Sequence, residues 1–300
     1  MHTPPLFLRR AGVVTWLWLA LAAPLAQAAV PEAASAPADN VSTFEQLQSQ
    51  QRATPRATDP QAAARNAVAE RQMDLMLTTL EAAVQRNDFI EKVFGLPPSA
   101  TQFEALRSGL GAIYSDRILM RSLLANIDVD DPNWEVGFRR NWGTRMASGM
   151  GRMSDESAMK LLRPMATTLG NFSREQCSNY VSAQKQSSPK NVFSGMLLPA
   201  MDASDVLQLL DGFHDALMAD LSALPLRPLP NATELTDLTT QLNRLLPAQK
   251  AGAEPPTQCE ALTAVVRAIE HMEQPHRSLS ITYLMTIAGF YTQKASNAPR

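Results

Sequence analysis

The spacing of apolar side chains constrains this chain more tightly than any other feature. Met73, Leu77, Leu80 and Val84 lie four, three and four positions apart, so one helix carries them as a single stripe. Steps of three and four also join Phe103, Leu106, Leu110 and Ile113, and steps of four join Trp134, Phe138, Trp142, Met146 and Met150. Steps of three and four return at Val206, Leu210, Phe213 and Leu217, and again at Leu235, Leu238, Leu242 and Leu245. No stretch keeps the alternating β-branched pattern of a strand. The expectation is an all-α fold, a multi-helix bundle or array of helical hairpins with roughly eight to ten helices.

Local chemistry marks the helix ends. A first helix is expected from residue 61 to Phe94, stopped by Gly95 and by Pro97-Pro98. Thr101-x-x-Glu104 is expected to open the next. Ser173-x-x-Gln176 and Thr257-x-x-Glu260 read as capping boxes, with Asn231-x-x-Glu234 a near relative. Ser154 is placed to cap a helix that Pro164 should kink. The proline-rich run "ALPLRPLPNAT", 223–233, is the one clear seam, a short extended connector. It divides a helical subdomain, 61–224, from a C-terminal one, 232–300, packed on the first, with 225–231 as the connector proper. Two segments, 157–177 and 236–259, each run from an apolar helix through a loop to Gln-Cys, a faint sign of a duplicated hairpin.

The N-terminus speaks to location. Arg9 and Arg10 precede an apolar run over 11–23, and Ala26-Gln27-Ala28 supplies a small-x-small cleavage site. This is the layout of a secretory signal peptide over 1–28, and its apolar run is short of the roughly 20 residues of a membrane span. The alanine-rich leader points to the bacterial periplasm, or secretion, with no stable membrane insertion after cleavage. Residues 29–60 hold few large apolar side chains and read as a disordered tether. Cleavage would leave 25 basic against 29 acidic residues, a net charge of −4. A mildly acidic protein lacks the clustered positive charge of a general nucleic-acid binder.

The chain has two cysteines, Cys177 and Cys259, each preceded by glutamine near a helix start. A helix N-terminus favours a thiolate, which argues for a reactive cysteine. Catalysis would also need a base nearby. His271 lies twelve residues beyond Cys259 on the same helix, roughly 18 Å away. There is no zinc-type cysteine or histidine spacing. Cys259 shares a stripe with Leu262, Val266 and Ile269, and Cys177 one with Val181, so both point inward. In an exported chain a disulfide then leads over two separate buried thiols.

Other candidate sites are weaker. Asn126, Asp128 and Asp130 occupy the first three ligand positions of an EF-hand, but its required Gly and Glu are replaced by Asp131 and Gly137. Residues 137–157 combine glycines with Arg139, Arg140, Arg145 and Arg152 around Trp142. Glycine there allows close helix packing, and the arginines read either as a solvated rim around a buried aromatic stripe or as a cationic patch, the first place to look for an anionic ligand or partner. It is not a phosphate loop, since no strand or Gly-Lys-Ser/Thr accompanies it. Asp211, His214 and Asp215 are helical neighbours, so a carboxylate is positioned to orient the imidazole. His271 and His276 flank Pro275 at a spacing unsuited to a two-ligand metal site. Glu156-Ser157 resembles the start of a lytic transglycosylase motif in two residues only, without the Gly-Leu-Met-Gln segment that should follow.

No catalytic motif and no cofactor site emerges. The expected role is binding of a protein or envelope ligand, as an adaptor, chaperone-like or toxin-neutralising factor. An extracytoplasmic hydrolase would need His214 and carboxylates gathered by the fold. A small-molecule binder would need an apolar pocket between helices.

Overall fold

The computed structural model describes residues 60–127, 131, 134–186, 193–246 and 254–296. The segment read as a leader, 1–28, and the expected tether up to residue 59 lie outside the described residues, as do Asp128 and Asp130. Among the described residues there are eleven α-helices and no strands. They are α1 (Pro60–Val84), α2 (Asn87–Phe94), α3 (Phe103–Ser115), α4 (Arg117–Leu124), α5 (Trp134–Met150) and α6 (Asp155–Gly170). There follow α7 (Arg174–Gln186), a π-helical and a 3₁₀ turn over Phe193–Ala200, α8 (Ala203–Leu221), α9 (Ala232–Leu245), α10 (Gln258–Glu270) and α11 (His276–Ser296). The all-α expectation holds, with more and shorter helices than the apolar stripes suggested.

Two differences account for the extra helices. The helix expected to run unbroken to Phe94 stops at Val84, because Arg86 takes an extended backbone (φ −83°, ψ 135°) before α2 begins. Gly95 then closes α2 at φ 68° in the left-handed region, where glycine carries no side-chain penalty. The second difference is α4, whose Leu119, Met120, Leu123 and Leu124 are all buried. Asp116 starts it by accepting a hydrogen bond from the Leu119 N–H at 3.0 Å.

The box expected at Thr101 does not form. Helix α3 begins at Phe103, and Gln102 is instead buried, donating through Nε2 to the carbonyls of Met201 (2.7 Å) and Pro199 (3.2 Å). Glu104 pairs with Arg107 rather than reaching back. The boxes at Ser173, Asn231 and Thr257 do form, and Ser154 caps α6, which continues through Pro164.

Helices α5 and α8 sit at the centre. Helix α8 packs on α3, α4, α5 and α6, while α5 also lies along α11. Two glycines permit this approach: a Cβ at Gly149 would meet the Ala216 carbonyl oxygen at 1.7 Å, and one at Gly289 the Ala147 oxygen at 2.5 Å. Helix α10 packs on α6, and α9 lies outside, against α10 and α11. The core is a continuous cluster from α1 to α11, in which Trp142, Met146, Met159 and Met285 are buried.

Candidate functional site

The connector between α8 and α9 is held at both ends. Ser222 ends α8, and Ala223 turns the chain through a left-handed backbone (φ 50°), so that the Leu224 N–H donates to the Ala219 carbonyl at 3.1 Å. Arg227 then acts as a peg. Its backbone N–H donates to Gly151 O at 2.9 Å. Its guanidinium donates to Met153 O, to Asp155 Oδ1 and to both oxygens of Ser278. The side chain is only 17% exposed, so the ion pair with Asp155 is shielded from water. Around this anchor, Leu224, Leu226 and Leu229 remain 44%, 65% and 57% exposed. The seam is legible in the prolines; the fastening of the segment through one arginine is not.

The structure disperses the cationic patch read from 137–157. Trp142 is fully buried against Phe138 (ring centroids 6.1 Å apart) and offers nothing to the surface. Its indole N–H has no hydrogen-bond partner among the described residues. Arg145 pairs with Asp220 at 3.0 Å and donates to the Ser122 carbonyl. Arg152 reaches the same Asp220 at 3.9 Å, bonds Ser148 Oγ, and donates to the Leu224 carbonyl. Both therefore hold the C-terminal turn of α8, and Arg152 fastens the start of the connector. Arg139 is partly buried and Arg140 exposed.

His214 does not meet its helical neighbours. Its Nε2 lies 3.0 Å from Asp116 Oδ2, across from α8 to the cap of α4. Asp215 instead binds Lys160 at 2.8 Å, a contact that raises the lysine's pKa. Burial works against the charged form of Asp116, but the Leu119 N–H and the His214 ring outweigh it and hold the carboxyl below its usual range. His271 ends α10 as its C-cap residue, and His276 bonds Asp237 of α9 at 2.8 Å. Each of these groups has a local bonding partner or capping position. Among the described residues, no cluster of three or more histidine, cysteine or acidic side chains could hold a metal.

Cys177 and Cys259 are joined as a disulfide, with Sγ atoms 2.03 Å and Cα atoms 5.9 Å apart. Each thiol sits one residue after the glutamine predicted beside it, in the first turns of α7 and α10. The bridge closes across a sequence separation of 82 and encloses α8, the connector and α9.

One apolar cleft lies beneath α9, lined by Leu235, Leu238 and Leu242 above and by Val265, Ile269 and Leu284 below. No helix among the described residues is long and apolar enough to cross a membrane. No protein-family model, curated protein or solved structure matches this chain. What the chain does must therefore be argued from its own surfaces.

Proposed function

We propose that this chain is an exported binding protein that engages a protein partner through the leucine-bearing connector at 224–229, in the bacterial periplasm or outside the cell. One observation carries the reading: three exposed leucines sit on a segment already held in place by Arg227. Preorganisation matters because ordering a loop during association costs affinity, and a fixed apolar ridge avoids that loss. Apolar groups clustered on one exposed segment are the usual material of a contact surface. The leader at 1–28 supports export, and the tether read over 29–60 would give the helical body reach. A hydrolase reading has less support, since His214 and the carboxylates around it are engaged in helix capping and ion pairs.

The test places a photo-crosslinking residue at Leu226 in the mature protein within its own envelope fraction. A discrete adduct is expected, and it should disappear in a Leu224→Ser, Leu226→Ser, Leu229→Ser variant that melts like the parent. Arg227→Ala should weaken capture about tenfold by freeing the segment, on the order of 1.4 kcal/mol. A crosslink indifferent to all of these substitutions would end the proposal.

A further inference from the structure

Proline governs the backbone of the connector. In "LPLRPLP", 224–230, Pro225, Pro228 and Pro230 hold φ at about −65°. Leu224, Arg227 and Leu229 each precede a proline and are turned toward extended backbone. Only Leu226 escapes both restraints, and the segment forms no helix, strand or turn. What it exposes repeats every three residues, which is the period of a polyproline helix. Leu224 is the least exposed of the three leucines, Arg227 is the peg, and Pro230 is buried, so this row faces the body. Pro225 and Pro228 make one exposed row, and Leu226 and Leu229 make another.

The backbone between these rows is open. The Leu224 carbonyl accepts from Arg152. Among the described residues, the carbonyls of Pro225, Leu226, Arg227, Pro228 and Leu229 accept no hydrogen bond, and the N–H groups of Leu226 and Leu229 donate none. A partner strand cannot pair along this segment, because its prolines lack the donors a ladder needs. A lipid surface attracts clustered basic residues, and the one basic side chain here, Arg227, is engaged by Asp155. A second copy of the chain offers no complement, since none of the large apolar side chains exposed among the described residues is aromatic. Two apolar rows beside a line of free carbonyls fit flat rings that carry a donor at the edge, which tyrosine and tryptophan supply.

We propose that the partner reads this connector as a polyproline helix, in a shallow groove lined by tyrosine and tryptophan. The rings stack on Pro225 and Pro228, while Leu226 and Leu229 fill the spaces between rings. Phenol hydroxyls and indole N–H groups donate to the open carbonyls. This inference rests on the connector being the contact surface proposed above, and adds the chemistry of what meets it. The prolines and the Arg227 peg set the conformation beforehand, so little order is lost on association.

The test again places the photo-crosslinking residue at Leu226 of the mature protein in its envelope fraction. Pro225→Ala with Pro228→Ala keeps the peg and the leucines, and should lower the adduct yield at least tenfold in a variant that melts like the parent. The captured protein is then purified with 5-fluorotryptophan and 3-fluorotyrosine in place of its own rings. Adding the mature protein should shift a subset of its fluorine signals, and the proline variant should not. An adduct lost with Leu224→Ser and Leu229→Ser but kept with both proline substitutions leaves the connector as the contact surface and overturns the polyproline mode. An adduct indifferent to both sets removes the contact surface as well. A phospholipid adduct, or one joining two copies of this chain, also overturns the inference. If the proline variant fails to fold, fluorine signals unmoved by the parent protein overturn it alone.

Discussion

Asp116 shows how much one side chain can carry. It caps α4 through the Leu119 N–H and binds His214 of α8, so it joins the start of one helix to the flank of another. Replacing it with alanine should cost about 1–2 kcal/mol, the usual range for losing an N-cap. Asparagine keeps a cap oxygen and should cost less. Because the folded carboxyl lies below its ordinary value, its contribution is whole above the unfolded-chain pKa of about 4. That contribution is lost as pH falls through the lower folded value. Urea midpoints of the parent and Asp116→Asn should therefore differ near neutrality and converge as the pH is lowered through that folded value. A constant difference across that range would show that the charge is not what Asp116 supplies. The sequence places an acid before an apolar stripe here, but the junction of α3 and α4 at Ser115, Asp116 and Arg117 holds no glycine or proline to announce a new start.

At the scale of elements, the central contact is backbone against backbone. Gly149 of α5 approaches the Ala216 carbonyl of α8 so closely that no β-carbon fits, and the neighbouring atom cannot swing aside as a flexible side chain would. Gly149→Ala should destabilise the protein by about 3 kcal/mol or more, since the two helices must move apart. Gly195, where a β-carbon would meet nothing within 4 Å, is the control and should change stability by less than about 0.5 kcal/mol. Thermal melts of the two variants decide the matter; equal melting temperatures would refute the close-packing account. In the sequence the glycines of 137–157 point to close helix packing and the arginines beside them to a cationic patch. Gly149 does admit α8, while Arg145 and Arg152 turn to Asp220 on that same helix.

For the molecule as a whole, the disulfide ties the N-terminal turn of α7 to that of α10. A closed loop of this length restricts the unfolded chain and should contribute about 4 kcal/mol in the chain-entropy account. Cys177→Ala with Cys259→Ala, or reduction of the parent, should lower the urea midpoint accordingly. A loss below about 1 kcal/mol would mean that the packing of α10 on α6 already holds α10 in place without the bridge. Counting thiols in denatured, unreduced protein should give none, and two would remove the bridge. Helix α11 adds a non-covalent counterpart, for it is the last of the described elements yet packs along α5 near the middle of the fold.

The helical class, three capping boxes, the inward cysteines and the proline seam were readable because each depends on neighbours within a few positions along the chain. A 3.6-residue period, a cap and its partner three residues on, and a proline all act locally, so sequence carries them directly. Which arginine meets which acid is different. Arg145 finds Asp220, Arg227 finds Asp155, and His214 finds Asp116 rather than the aspartates beside it. Those pairings span 72 to 98 positions and exist only because helices cross at particular points. Local periodicity says which face of a helix is apolar; only the packing of all the helices decides which polar groups that packing brings within a few ångströms.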